Sequence, residues 1–333
     1  MQELMFQLIL DGAPIALLSD RLRHNKEFII ELLRYCNIPL NELEEQFQYD
    51  VDVVLQSVSN DPNNYTFLSN SIKSERSVTI QMINNAYKIK DFTNSNKTFV
   101  RIFEKYIPMV FRNDREIMEL SLRQDSSIMP LVSDALKNNK EFVVNALKIS
   151  TTCFPHISLE LRSDPEVCLL ALRNSNSKTM IMTHMNCLLL YDEDFMREIV
   201  SIDGMLLSYA PSAEIIQNRD VVLIAVKQNG FALQHADKSL RNDEEIVREA
   251  IMQDGETIMF ASERLRDNFE LMAVAVTKSK VALLYASERL KSDENLVSIS
   301  VYSHPSSLKF ASAQLLQNSQ FIEHLIRNGV TNY

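Results

Sequence analysis

The chain is poor in the residues that make tight turns. Its 333 residues include only 5 Gly and 9 Pro. An all-β fold needs many Gly- and Pro-rich turns, and a dinucleotide-binding fold needs glycine loops around phosphates. The composition disfavours both classes and predicts an all-α protein.

Cysteine and long apolar runs are also scarce. Four scattered cysteines in a chain of this length do not suggest a disulfide framework, which favours a reducing compartment. The longest apolar runs, such as residues 221–226, are far shorter than the roughly 18 residues that span a bilayer. Glu3 stands where a secretory signal would carry positive charge. We therefore expect no membrane span and a cytoplasmic location, or the host cytosol if the protein is exported as an effector.

Basic residues are fewer than acidic residues. The formal net charge is −10 and the isoelectric point is about 5.2. Such a balance opposes non-specific attraction to nucleic acid or to an anionic membrane. A basic partner is expected instead.

What the sequence has in abundance is a repeat. Asp243 lies between two apolar helical patterns, and a short polar residue recurs at the equivalent place along the chain, mostly at steps of 25 residues with three longer steps of 39, 28 and 26. Asp and Asn side chains accept hydrogen bonds from the free N–H groups that open a helix, so these residues are predicted helix caps. Glu75 is the poor member of the series. The predicted caps are Asn25, Asp50, Asp114, Asn139, Asp164, Asp192, Asn218, Asp243, Asn268, Asp293 and Asn318.

Apolar residues within each repeat follow helical spacing. After the cap, Ile246 and Ala250 form an i, i+4 pair, and before it Leu233, Ala236 and Leu240 follow i, i+3, i+7. Each predicted helix has only about ten residues, too few to persist alone in water. The sequence therefore predicts an all-α fold, an α-solenoid of about twelve 25-residue helix–turn–helix repeats, in which each unit packs on the next.

Three parts of the solenoid are expected. Residues 1–85 form an N-terminal capping helix and repeats one to three. Residues 86–99 are an insert rich in Asn, Lys, Thr and Ser, which we interpret as a loop or hinge. Residues 100–333 carry repeats four to twelve of the same solenoid.

Three polar columns accompany the caps. An acid stands two residues after the cap in nine of twelve repeats, and Lys or Arg stands two residues before it in eight of twelve. Both placements complement helix dipoles, and we expect the acids to neutralise the cations. Ser recurs six residues before the cap, as at Ser133, Ser262 and Ser287. These hydroxyls could line a groove, but a bond to a backbone carbonyl or to a neighbouring repeat is the favoured interpretation.

One unit shows a family resemblance. Residues 227–251 read KQNGFALQHADKSLRNDEEIVREAI, with a QNG turn, an LRND turn and an acidic start to the second helix. This pattern resembles the bacterial and protist repeat family known as domain of unknown function 4116 (DUF4116). The resemblance is best over residues 200–318 and fades toward the N-terminus. It implies a helical repeat protein and supplies neither an established activity nor catalytic residues.

One cluster has the residue types of a metal site. Cys153 and His156 are three residues apart, as are His184 and Cys187, and two Cys with two His suit tetrahedral zinc. The repeat register argues against this site, because His156 and His184 occupy a column held elsewhere by aromatic residues such as Phe260, and we interpret that column as packing. Cys153 and Cys187 fall in different columns and should point differently. No metal and no cofactor are therefore expected.

The leading hypothesis is a non-catalytic scaffold that binds a protein or an extended peptide, with a basic segment, along its surface. One alternative is a nucleic-acid-binding repeat, supported only by the cations two residues before the caps. Another is an enzyme with a pocket near residues 153–187, which no paired carboxylates, glycine loop or triad spacing supports.

Overall fold

The computed structural model describes residues 2–85, 103–104, 107–328 and 330. Every regular element in these residues is a helix, and they contain no strand. Twelve long helices, eleven of ten residues and one of nine, begin directly after the repeating polar position. They are Lys26–Tyr35, Val51–Asn60, Arg76–Asn85, Arg115–Gln124, Lys140–Ile149, Pro165–Asn174, Glu193–Ile202, Arg219–Gln228, Glu244–Gln253, Phe269–Lys278, Glu294–Ser303 and Ser319–Arg327.

Local hydrogen bonding explains where the long helices begin. The Asp243 carboxylate accepts hydrogen bonds from the backbone N–H groups of Glu245 at 3.0 Å and Ile246 at 3.1 Å. These are two of the donors that a helix start leaves without a partner. The side chains of all eleven predicted caps accept at least one such bond.

The segment before each cap differs from the expected continuous helix, and that prediction was wrong. In the repeat of Asp243 it consists of a 3₁₀ helix, Gly230–His235, a break at Ala236 in extended backbone (φ −72°, ψ 154°), and a second short 3₁₀ helix, Leu240–Asn242. The i, i+3 spacing of Leu233 and Ala236 fits three residues per turn, so both side chains face the core without a continuous α-helix. Most of the described repeats thus have three helical segments rather than two.

The other repeats follow this plan with small variations. The 3₁₀ helices after the long helices are Leu40–Glu42, Pro62–Phe67, Ser126–Leu131, Thr151–His156, Gly204–Tyr209, Gly255–Phe260, Ala282–Tyr285 and Pro305–Phe310, with Ile15–Leu17, Met109–Asn113 and Cys187–Tyr191 before their own caps. The second short segments are Asp20–Arg23, Glu45–Gln48, Asn70–Lys73, Asp134–Lys137, Leu161–Ser163, Ala213–Gln217, Glu263–Arg266, Glu288–Lys291 and Ala313–Leu316. Lys178–His184 is a seven-residue α-helix in the 28-residue step between Asp164 and Asp192.

The core is formed by one face of each long helix and the inner side of each 3₁₀ helix. Ile246, Val247, Ala250 and Ile251 are fully buried, and the same four positions are buried in the neighbouring repeats. Small residues at the place of Ala250 allow consecutive long helices to pack closely. Since each short helix covers its neighbour, the repeats stabilise one another.

The chain divides into two compact units, residues 1–176 and 177–333. In the first unit the helix Gln2–Leu10 packs on Lys26–Tyr35, with the Phe6 and Phe28 rings 6.1 Å apart. The predicted insert at residues 86–99 lies outside the described residues. The helices on either side of it, Arg76–Asn85 and Arg115–Gln124, pack directly against each other. Across the residues that the structure covers, we find no helix of the length and apolarity needed to cross a bilayer.

Candidate functional site

A ladder of ion pairs joins successive repeats. The first residue of a long helix is often a cation that contacts both the cap and the following acid of the next repeat. Lys140 Nζ lies 2.7 Å from carboxylate oxygens of both Asp164 and Glu166, and Arg219 Nε lies 3.2 Å from Asp243 while its guanidinium also contacts Glu245. Lys26 and Arg76 make the same pair of contacts with their next repeats.

Where the next cap is Asn, the roles can be exchanged, so that the cap is the donor and the first residue of the preceding long helix is the acceptor. The Asn218 amide donates to the Glu193 carboxylate at 2.8 Å, and the Asn318 amide donates to Glu294 at 3.1 Å. Glu193 and Glu294 are the first residues of their helices, the place that a cation holds before Asp50, Asp114, Asp164 and Asp243. In these six cases the residue that opens one helix contacts the cap that opens the next.

This ladder shifts the pKa values of the Asp caps. Partial burial would raise the pKa of Asp164, but hydrogen bonds from Lys140 and from the Val167 N–H outweigh it, and the pKa lies below its ordinary value. Burial would also raise the pKa of Asp243. Hydrogen bonds from the Ile246 N–H and from Arg219 outweigh this effect and lower the pKa. The pKa values of Asp50 and Asp114 are lowered in the same way by Lys26 and Arg76. The acids and caps are thus used to join repeats.

The recurring serines form a second connection between repeats. The Ser262 hydroxyl accepts from the Leu265 N–H at 3.4 Å and donates to the Asn242 side chain of the previous repeat at 2.6 Å. The Ser262 backbone N–H donates to the Arg241 carbonyl at 2.9 Å. Ser133, Ser158 and Ser287 repeat all three contacts. The hydroxyls therefore bond to neighbouring repeats, as the favoured interpretation expected.

The cations two residues before the caps are arranged differently from the expectation. Glu116 and Glu245, two of the acids that were expected to neutralise them, pair instead with Arg76 and Arg219, which open the preceding long helices. Among the described residues, the Arg112, Arg241 and Arg266 side chains have neither an ion pair nor a hydrogen bond, although each is half-buried and its Nε is covered. The prediction of a neutralised stripe was wrong for these three arginines. Other cations of the column are paired within their own repeat, such as Lys137 with Asp134 and Lys291 with Glu288.

The aromatic column eight residues before the caps also differs from the expectation. We interpreted it as packing, yet Phe67 is 49% exposed, His156 and His184 are exposed, and Phe260 and Tyr285 are half-buried. Phe67, His156, Phe260 and Tyr285 end their 3₁₀ helices, where three residues per turn direct other positions inward, and His184 ends the α-helix Lys178–His184. The column lies at the surface in each of the two units.

The unpaired cations and the surface aromatics meet in a cleft of the second unit. A cavity of about 460 Å³ is lined by Arg266 of one repeat and by Leu284, Tyr285 and Glu288 of the next, with Glu263 beside Arg266. The equivalent residues are Arg241 and Phe260 one repeat earlier, and Lys291 and Phe310 one repeat later. Sequence reasoning identified both columns but missed this cleft, because it assigned one column to neutralised charge and the other to the core.

The Cys and His residues of the possible metal site have different surroundings. Cys153 is fully buried in the first unit, and its neighbour His156 is exposed. In the second unit His184 Nδ1 lies 2.8 Å from the Met180 carbonyl oxygen, and Cys187 is exposed. No group of three or more His, Cys, Asp or Glu within the described part of the chain is placed to hold a metal ion.

The buried thiols are poor nucleophiles. Burial raises the pKa of Cys153 to about 12, and burial together with the nearby Asp164 charge raises the pKa of Cys168 to about 12. A thiolate is the reactive form, so both groups are almost fully protonated near neutral pH. The Cys168 thiol donates to the Arg162 carbonyl at 3.3 Å.

Comparison with known families identifies the repeats. The sequence profile of the family described as domain of unknown function (DUF4116) matches residues 114–162, 139–181, 218–266 and 268–316. All four matches begin at a capping residue, namely Asp114, Asn139, Asn218 and Asn268. The matches at 114–181 extend the resemblance beyond residues 200–318. Neither the curated proteins nor the solved structures gave a match.

Proposed function

Because the chain belongs to the DUF4116 helical repeat family, we propose that it is a non-catalytic scaffold that binds a protein or an extended peptide. In this proposal about twelve 25-residue repeats stack as an α-solenoid, and binding is spread over the surface positions of several repeats. The scaffold acts in the cytoplasm, of its own cell or of a host.

The observation that carries the proposal is the recurrence of the same inter-repeat contacts at the 25-residue step. Lys140 with Asp164 and Arg219 with Asp243 occupy the same register, as do the serine bonds of Ser158 and Ser262. Because these contacts recur at equivalent positions, we expect equivalent surface side chains of successive repeats to lie at a regular interval along the chain. A regular column of side chains suits a partner that is itself extended.

The chemistry of the recurring polar groups supports a structural role for them. The capping side chains accept hydrogen bonds from the backbone N–H groups at helix starts. The acids after the caps form ion pairs with cations of the preceding repeat, and the serine hydroxyls donate hydrogen bonds to side chains of the preceding repeat. The pKa values of Cys153 and Cys168, raised to about 12, leave these thiols inactive as nucleophiles near neutral pH.

Small-angle X-ray scattering tests the proposed arrangement. Twelve layers at 8–10 Å would give a particle on the order of 100 Å long. A compact globule of this length would have a radius of gyration of about 20 Å. We expect a value clearly above that figure, and a measured radius near 20 Å would contradict the solenoid.

Crosslinking with mass spectrometry tests the proposed activity. The intact chain is used as bait, and an unrelated acidic protein of equal net charge serves as control for capture by charge alone. We expect a protein partner whose crosslinks fall on the same register position in several repeats. Recovery of no partner beyond the control, or crosslinks confined to one repeat, would argue against a scaffold that binds along its length.

A further inference from the structure

We propose that the second unit binds an extended acidic peptide along the cleft of Arg266 and Tyr285 and the equivalent positions Arg241 and Phe260 one repeat earlier. This inference rests on the proposed function and names the chemistry of the partner. It reverses the expectation of a basic partner, which came from net charge alone.

The first argument is the state of the cations. Although the chain has a net charge of −10, the Arg241 and Arg266 side chains have no acid partner among the described residues. By contrast, Arg219 and Arg248 in the same unit are both ion-paired. An arginine that is half-buried and unpaired has lost part of its hydration without compensation. A carboxylate from a partner would supply the missing charge and could bond the guanidinium in a bidentate manner.

The second argument is the aromatic residue in the same cleft. Tyr285 and Arg266 both line the 460 Å³ cavity, and Leu284 beside them is 43% exposed. Half-exposed rings at fixed intervals are the usual receptor surface for proline-containing extended peptides. The ring accepts an apolar residue while the neighbouring arginine accepts an acid.

Spacing favours an extended peptide over other ligands. Stacked helical layers lie roughly 8–10 Å apart. A polyproline II segment rises about 3.1 Å per residue with three residues per turn, so the same face returns after about 9 Å. One turn of such a peptide therefore matches one repeat, and residues three apart can place carboxylates opposite Arg241 and Arg266.

The acids of the cleft distinguish a peptide from a nucleic acid. Glu263 and Glu288 line the same cavity as Arg266. Glu288 is ion-paired with Lys291 at 3.0 Å, so among the described residues Glu263 is the acid of this cavity without an ion pair. A single-stranded nucleic acid carries a charge on every nucleotide and would be repelled by Glu263. A peptide with one acid in three residues can pair with the arginine and present neutral residues to Glu263 and Glu288.

Fluorescence anisotropy on the full chain tests the inference with a labelled peptide of five Pro-Pro-Glu triplets. Peptides of Pro-Pro-Lys and Pro-Pro-Gln triplets and a 15-nucleotide oligouridylate are compared with it. We expect the Glu peptide to bind about tenfold tighter than the Lys peptide and tighter than the oligouridylate, with affinity falling as salt rises. Tighter binding of the Lys peptide or of the oligouridylate would overturn the inference.

Variants locate the binding on the cleft. Arg266→Gln should weaken the Glu peptide about fivefold, because it removes a charge-assisted bond. Arg248→Gln makes the same charge change away from the cleft and should leave affinity within about twofold. Glu263→Gln should tighten the Glu peptide about two- to threefold by removing a repelling charge. A gain of affinity cannot come from misfolding.

Equal effects of Arg266→Gln and Arg248→Gln, or weaker binding by Glu263→Gln, would overturn the inference. So would failure of the chain to bind the Glu peptide. The scaffold proposal would still hold after these results if crosslinking finds a partner bound at the same register position of several repeats elsewhere on the chain. If only the crosslinking test fails, the scaffold proposal is contradicted, but the measured preference for the Glu peptide is not.

Discussion

Gly230→Ala tests the close packing between a 3₁₀ helix and a long helix. Gly230 opens a 3₁₀ helix directly beside the long helix Glu244–Gln253 of the same repeat. A Cβ at this position would lie 2.7 Å from the Ala250 carbonyl oxygen and 3.2 Å from the Gln253 Cβ and from the Thr257 Cγ2. The Ala250 carbonyl is backbone inside a helix, so it cannot rotate away.

The expected change in the free energy of unfolding follows from how far the new Cβ would lie inside ordinary contact distance. An ordinary contact begins at about 3.4 Å, so the two segments must separate by roughly 0.7 Å. Overpacking of this kind costs typically about 1–3 kcal/mol. Loss of glycine entropy from the unfolded chain offsets about 0.4–1 kcal/mol of that cost. We therefore expect Gly230→Ala to lower the free energy of unfolding by about 0.5–2 kcal/mol.

Urea unfolding followed by circular dichroism measures this difference, with Lys280→Ala as the matched control. Lys280 holds the register of Gly230 two repeats later, is exposed, and precedes a 3₁₀ helix that starts only at Ala282. The control should stay within about 0.5 kcal/mol of the natural chain. A Gly230→Ala midpoint equal to that of the control, or higher, would refute a tight interface at this glycine.

Three further predictions concern the caps and thiols. Asp164→Ala removes the acceptor of the Glu166 and Val167 N–H groups and the partner of Lys140, and should lower the free energy of unfolding by about 1–2 kcal/mol in urea. The folded-state pKa of Asp164 lies below its ordinary value of 3.8, so its stabilising contribution is complete above pH 3.8 and is lost as the pH falls through the lowered pKa. Urea midpoints between pH 7 and pH 3 should therefore decline only at the acid end, and less steeply in Asp164→Asn; an equal decline in both proteins would contradict this assignment. In a thiol-labelling time course on the native chain, the exposed Cys187 should react first, whereas the buried Cys153 and Cys168, whose pKa values are raised to about 12, should react only after unfolding. Rapid labelling of all three would contradict the buried positions.

Much of the repeat could be predicted because its cues are local. Asp243 accepts hydrogen bonds from residues two and three places away, and Ile246 and Ala250 share a face one turn apart. Such interactions depend on neighbours in the chain, so composition and spacing were enough to place the start of each long helix. The DUF4116 resemblance rested on the same local pattern.

The candidate cleft could not be predicted, because its parts come from different repeats. Arg266 and Tyr285 line one cavity but lie in consecutive repeats, and the acid at Glu245 pairs with Arg219 of the preceding repeat rather than with Arg241. The partner of a surface charge is set by which atoms stacking brings within about 4 Å, and a single repeat does not contain that information. A column of charges alone therefore suggested the wrong pairs.

By itself, the sequence determined the period, the capping residues and the buried face of each long helix, since these depend on hydrogen bonds and apolar spacing within one turn. Only the tertiary structure decided that the segment before each cap breaks at residues such as Ala236. There the following Asp237 donates its N–H to the Ile216 carbonyl of the previous repeat, a bond that a continuous helix would not offer. Tertiary structure also left Arg241 and Arg266 unpaired beside surface rings, and in the case of Arg241 stacking of the repeats pairs Glu245 with Arg219 instead.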